Sequence, residues 1–103
     1  MHDIEAILKW TILEGEELVD KYLDVFVSEE SVTRSEFYSS IQSGMQISRV
    51  FKMNIFEYQE TKHLEKDTNK PLYATVIEVE GAVYDIKRTY SKKGSEDIEI
   101  ICE

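Results

Sequence analysis

The chain reads as a mainly β protein, a small antiparallel β-barrel or tight sandwich of about six strands with one short helix. Three observations predict this. Apolar and polar residues alternate with period two over most of the 103 residues. The alternation breaks at short charged or glycine-bearing clusters, namely Glu14-Gly15-Glu16-Glu17, Glu80-Gly81 and Lys93-Gly94-Ser95. Only one stretch, 34–43, carries helical spacing instead. The length predicts a single domain over 1–103, and in so short a chain closing the sheet is how strand edges are managed.

The first strand is expected at 4–13, with Ile4, Ala6, Leu8, Trp10 and Ile12 on one face. The second is expected at 19–29, with Val19, Leu23, Val25 and Val27 opposed by Asp20, Tyr22, Asp24, Phe26 and Ser28. The acidic cluster between them predicts an antiparallel pair joined by a charged turn. A short helix follows at 34–43. Thr33 and Glu36 have capping-box spacing, Phe37 and Ile41 share a helical face, and Gly44 stops the turn. Such a helix is marginal alone, so it must dock through Phe37 and Ile41 or order against a partner.

The third strand is expected at 47–58, with Ile47, Phe51, Met53 and Ile55 on one face. Residues 59–71 form a long polar loop with little apolar content beyond Leu64, and loops of that length are usually functional or disordered. Strands follow at 72–79 and 82–91, joined across Glu80-Gly81 as a hairpin. Ala82, Tyr84, Ile86 and Tyr90 are expected on the inner face of the second of these. A last strand is expected at 97–102. The core is expected from Leu8, Trp10, Val25, Phe51, Ile55, Ile77 and Ile86.

Charge narrows the function. Twelve Lys and Arg against 21 Asp and Glu give a net charge of −9. Nine of the acids, against two bases, fall in residues 1–30. A binder held to nucleic acid by phosphate neutralisation needs the opposite balance, as does docking on anionic membranes. A hydrophobic fraction of 42% is too rich for a disordered acidic tail. Cys102 is the single cysteine, which excludes an intramolecular disulfide, and it reads as a small hydrophobe finishing a strand. No apolar run approaches a membrane helix. Met1–Glu5 lacks the basic region of a signal peptide, so synthesis in the cytoplasm is expected.

No catalytic constellation, metal site or cofactor motif is predicted. His2 and His63 have no Cys or second His at ligand spacing. Glu60, Glu65 and Asp67 around His63 read as a solvated loop. The four glycines are isolated and form no phosphate loop. A non-enzymatic role is therefore expected. Lys87, Arg88, Lys92 and Lys93 cluster near Tyr84 and Tyr90, the mixture that single-strand nucleic-acid binders use. Set against the net charge, they are read as edge-strand bases beside core tyrosines.

Val32-Thr33-Arg34-Ser35-Glu36-Phe37-Tyr38, followed by a strand such as Arg49–Ile55, resembles a V-x-R-S-E-F-Y segment found in small proteins of tailed bacteriophages and prophages. Gly81–Tyr90, ending in Arg88-Thr89-Tyr90, resembles that family's G-x-x-Y-x-I-x-R-T-Y stretch. The closing acidic-apolar strand Glu96–Glu103 is its companion. Over roughly 19–103 the chain is similar to the head closure, or stopper, proteins of the head–tail connector, within the head–tail adaptor and joining proteins. The resemblance implies an all-β barrel in a ring, commonly of twelve subunits, beneath the portal and adaptor rings. Such a ring closes the DNA exit channel of the filled head and presents the tail docking surface. It also implies a place in the virion after synthesis in the bacterial host, with portal or adaptor and tail-completion proteins as partners. Double-stranded DNA would pass without specific binding, and no membrane is involved. Candidate interaction residues are Glu14, Glu16 and Glu17 in the acidic turn, Arg34, Glu36 and Tyr38 in the 31–46 excursion, and Lys62, His63 and Lys66 in the polar loop. The acids would repel DNA in the channel or meet a basic patch on the adaptor. The alternatives are a tail-completion protein of the same machinery and a small single-stranded nucleic-acid-binding barrel.

Overall fold

A computed structural model describes residues 2–30 and 49–103. Strand β1 (Ile4–Glu14) and strand β2 (Glu17–Glu30) pair antiparallel in unbroken register from Ile4 opposite Val27 to Glu14 opposite Glu17. The turn is shorter than the acidic cluster: Gly15 and Glu16 alone form it, with Glu14 and Glu17 already paired, and Gly15 takes a positive φ of 63° there. Strand β3 (Arg49–Asn54) leads into helix α1 (Ile55–Gln59). Two short strands, β4 (His63–Leu64) and β5 (Pro71–Leu72), form a separate small hairpin. Strands β6 (Val76–Val79), β7 (Ala82–Tyr90) and β8 (Asp97–Cys102) complete the chain.

The order β1-β2-β3-β8-β7-β6 closes back onto β1, and every neighbouring pair is antiparallel. The fold is thus mainly β, a closed six-stranded barrel with one short helix among the described residues, as the alternation predicts. Alternate residues of each strand fill the interior: Leu8 and Val27, Phe51 and Met53, Ile77, and Ile100. Of the expected core, Leu8, Val25, Phe51 and Ile77 are buried, while Trp10, Ile55 and Ile86 are partly buried against them. Val50 and Ile101 are register partners on the opposite side of the sheet from that cluster, and both are only 2% exposed. The consecutive run Ile100-Ile101-Cys102 is the sequence counterpart of this two-sided burial. Near the chain start, His2 reaches Ser28 Oγ at 3.0 Å and Asp97 Oδ1 at 2.8 Å, tying β2 to β8.

The helix expected at 34–43 lies outside the described residues, as does the start of the strand expected at 47–58. Other expectations change. The end of that strand is helix α1. Asn54 caps it, its side-chain oxygen accepting from Phe56 N at 2.9 Å and Glu57 N at 3.3 Å. Ile55 continues the period of Phe51 and Met53, which hides the switch. The helical signal is Ile55 with Tyr58, three apart, and Tyr58 is buried whereas Phe56 is exposed.

The strand expected at 72–79 is interrupted at Tyr73–Thr75, because the Ala74 N–H turns away to donate to Thr61 Oγ1 at 2.9 Å. In β7 a bulge sits between Ile86, opposite Cys102, and Arg88, opposite Ile101. One extra residue reverses the alternation, so Tyr90 faces outward beside Arg88 and is 59% exposed. Ala82 is exposed as well, at the mouth of the β6–β7 turn.

That turn holds both Glu80 (φ 50°) and Gly81 (φ 83°) at positive φ. A glutamate in this region costs roughly 1–2 kcal/mol, whereas asparagine tolerates it and Asn-Gly is the favoured two-residue hairpin loop. Glu80→Asn is expected to stabilise the barrel by about 0.5–1 kcal/mol. Urea midpoints for the two proteins check this, and an unchanged or lower midpoint for the variant would contradict it.

Candidate functional site

The barrel uses only part of its two longest strands. β1 pairs with β6 over Ala6–Lys9 alone, and β2 pairs with β3 over Ser28–Glu30 alone. From Trp10 to Glu14 and from Glu17 to Lys21, therefore, β1 and β2 are laddered only to each other among the described residues. They form a two-stranded ribbon, about 17 Å long at the rise of a strand. Its outer face carries Leu13 opposite Leu18, and its other face carries Ile12 opposite Val19. Leu18 is 76% exposed and Leu13 45%. Two-stranded ribbons are marginal alone in water, and this one shows leucines where a solvated ribbon would carry polar residues.

The three acids expected to interact lie at the ribbon tip. Glu14 is partly neutralised by Lys21 at 3.3 Å, and Thr11 Oγ1 donates to Asp20 at 3.0 Å lower on the ribbon. Glu16 and Glu17 make no ion pair with another described residue. Below the ribbon, neighbouring strands gather Glu5, Asp24 and Glu78 on one outer face around Ile7 and Phe26. Lys9 pairs with Glu78 at 3.0 Å. Sequence reasoning placed Asp24 opposite the apolar face of its strand without grouping it with Glu5 and Glu78. Counting register back from the tight turn at Gly15 would have aligned Asp24 with Ile7.

The polar stretch 59–71 is less free than its composition suggests. Thr61 is fully buried; its hydroxyl donates to Tyr58 O at 2.8 Å and accepts from Ala74 N. The His63 ring lies parallel to Trp10 at the ribbon base, with centroids 6.4 Å apart, and its Nδ1 donates to Thr61 O at 3.0 Å. Tyr58 stacks on Tyr73 at 5.4 Å. Leu64, the main apolar residue of the loop, is 58% exposed and does not anchor it. The anchor is polar, and a buried threonine is not legible from periodicity.

Lys62 and Lys66 are exposed and do not converge with His63, whose ring is occupied in holding the hairpin. Among the described residues, no group of three or more His, Cys, Asp or Glu is placed to hold a metal ion. Arg34, Glu36 and Tyr38 lie outside the described residues.

A basic corner stands at the end of β7. Lys87 is near Glu103 at 3.7 Å, whereas Arg88, Lys92 and Lys93 make no ion pair with another described residue. Because of the bulge, Tyr90 is an exposed aromatic among these bases and not the core residue expected. Tyr84 is partly buried and tilts against Phe51 at 5.8 Å. Elsewhere, Arg49 binds both carboxylate oxygens of Glu29 at 2.6 Å, which pushes the guanidinium pKa up.

Two buried groups resist ionisation. Burial pushes the Cys102 thiol up to about 12, and burial with Tyr73 beside it pushes the Tyr58 phenol up to about 12. Cys102 Sγ donates to Ile100 O at 3.7 Å inside the barrel. A thiol so placed is inert.

No family model, curated protein or solved structure matches the chain.

Two outcomes are expected. Replacing Glu65–Lys70 by a tight turn leaves the fold's urea midpoint nearly unchanged. Thr61→Val, by contrast, costs about 1–3 kcal/mol because it strands the Ala74 N–H; equal midpoints for the two variants would refute this account. The second outcome concerns alkali. Folded Cys102 and Tyr58 keep their protons to about pH 12, whereas the unfolded chain releases them from about 9 and 10. Their contribution is complete below pH 9 and is lost as pH climbs toward 12. Urea midpoints should fall from pH 8 to pH 10.5, and Cys102→Val should lessen that fall. A midpoint that holds steady across this interval, or an equal fall in the variant, would be inconsistent with it.

Proposed function

We propose that this chain is a structural subunit of a phage head-to-tail connector, closing the DNA exit channel of the filled head and offering a docking surface to the tail. The observation that carries the reading is the β1–β2 ribbon, which holds Leu13 and Leu18 away from the barrel. A subunit that works by assembling needs a rigid body and apolar surface reserved for neighbours. The closed barrel is such a body. Of the stretches that resemble head closure proteins, Gly81–Tyr90 spans β7 with the glycine before it and Glu96–Glu103 spans β8, whereas Val32–Tyr38 lies outside the described residues.

The charge distribution supports the same reading. At a net charge of −9 the subunit repels a duplex, so DNA slides past without being held.

Mass spectrometry of purified virions, together with deletion of the gene, tests the proposal. The chain should be present at a ring's copy number, and the deletion should yield packed heads that lose DNA and carry no tails. Absence from virions, with full heads and attached tails in the deletion, would overturn it. Copurification with free tails instead of heads would reassign the chain to tail completion.

A further inference from the structure

We infer that copies of this chain join side by side through a heterologous contact: the β1–β2 ribbon tip of one copy sits on the basic corner at the end of β7 of the next. The inference rests on the connector reading only for the closed ring; the contact itself belongs to the isolated chain.

The apolar surfaces match first. Leu13 and Leu18 cap the ribbon with most of Leu18 in solvent, and the corner presents Tyr90, 59% exposed, on the same outer face as Arg88. An aromatic ring flanked by bases is the kind of anchor that dominates protein interfaces. The charges match next. Glu16 and Glu17 at the tip and Arg88, Lys92 and Lys93 at the corner make no ion pair with any described residue of their own copy. Each surface thus carries the sign and the apolar element that the other needs, and both halves are on this one chain. That makes a second copy the occupant; a foreign partner would explain only one half.

Topology permits it. β1 and β7 are both antiparallel to β6, so they run in the same direction and deliver the ribbon tip and the β7 end to the same end of the barrel. Copies standing in the same orientation can therefore meet tip to corner laterally, without either inverting. A contact between two different patches repeats around an axis and closes into a ring when the rotation fits.

Sedimentation velocity of the full chain at high concentration, in low and in high salt, tests this. The wild type should associate reversibly, and more weakly in high salt as the charges are screened. E16K/E17K and K92E/K93E should each weaken association by at least about ten-fold, because tip and corner then repel. Mixing the two variants in equal amounts should restore it, since each tip then finds a complementary corner only on the other variant. All four positions are exposed, so both variants should keep the wild-type urea midpoint. Leu18→Ser should weaken association at both salt concentrations. A wild type that stays monomeric throughout, or a mixture that does not recover, overturns the contact. So does a K92E/K93E variant whose only loss is binding of a labelled single-stranded oligonucleotide, which would make the corner a nucleic-acid surface. Presence of a monomeric wild-type chain in virions at a ring's copy number would end this inference and leave the connector reading standing.

Discussion

Strand length is the constraint on which the molecule depends. A closed antiparallel barrel needs each strand to match its neighbours over the girth it encloses. β6 offers four residues, and β3 and β8 six each, while β1 and β2 run to eleven and fourteen. The short strands set the height of the barrel, and among the described residues the surplus of the long hairpin pairs only with itself. The ribbon is thus a consequence of closure and not an appendage to it. Its apolar residues at Ile12, Leu13, Leu18 and Val19 keep the strand character that the barrel no longer requires.

Below the ribbon the open end of the barrel is stopped by a small polar assembly. Asn54 switches the chain from strand to helix, and Tyr58 then turns inward onto Tyr73. Thr61 joins both sides of the plug by donating to one backbone and accepting from the other. His63 carries the plug to the ribbon base through Trp10. No buried side-chain nitrogen or oxygen among the described residues lacks a partner. That balance matters more than the number of bonds, since an orphaned buried donor costs more than a satisfied one contributes.

The electrostatics follow from the same geometry. Antiparallel register places outward residues of β1, β2 and β6 side by side, so acids scattered in sequence become one field on the barrel wall. The bulge in β7 does the reverse service for the bases. By shifting the alternation one step it brings Tyr90 out beside Arg88, near Lys92 and Lys93. The molecule ends with an acidic apolar projection and a basic aromatic corner, both at the end toward which β1 and β7 run. Opposed patches of this kind set register and orientation between neighbours more than they set affinity.

Sequence alone determined the strands that alternate, the acidic hairpin, the Glu80-Gly81 turn and most of the interior, because side-chain period and turn chemistry are local properties. Leu8, Val25, Phe51 and Ile77 were legible for that reason. The helix at Ile55–Gln59 was partly legible, through Asn54 and the spacing of Ile55 and Tyr58, but strand alternation concealed it. Other features belong to the tertiary structure. The bulge at β7 arises from matching two strands, and no residue of β7 announces it. The burial of Thr61 requires Ala74 to be brought across thirteen residues of chain. How far the ribbon projects depends on where β6 and β3 stop pairing, which is a relation among strands distant in sequence. Local chemistry chose the elements; closing them into one barrel decided which residues were left on its outside.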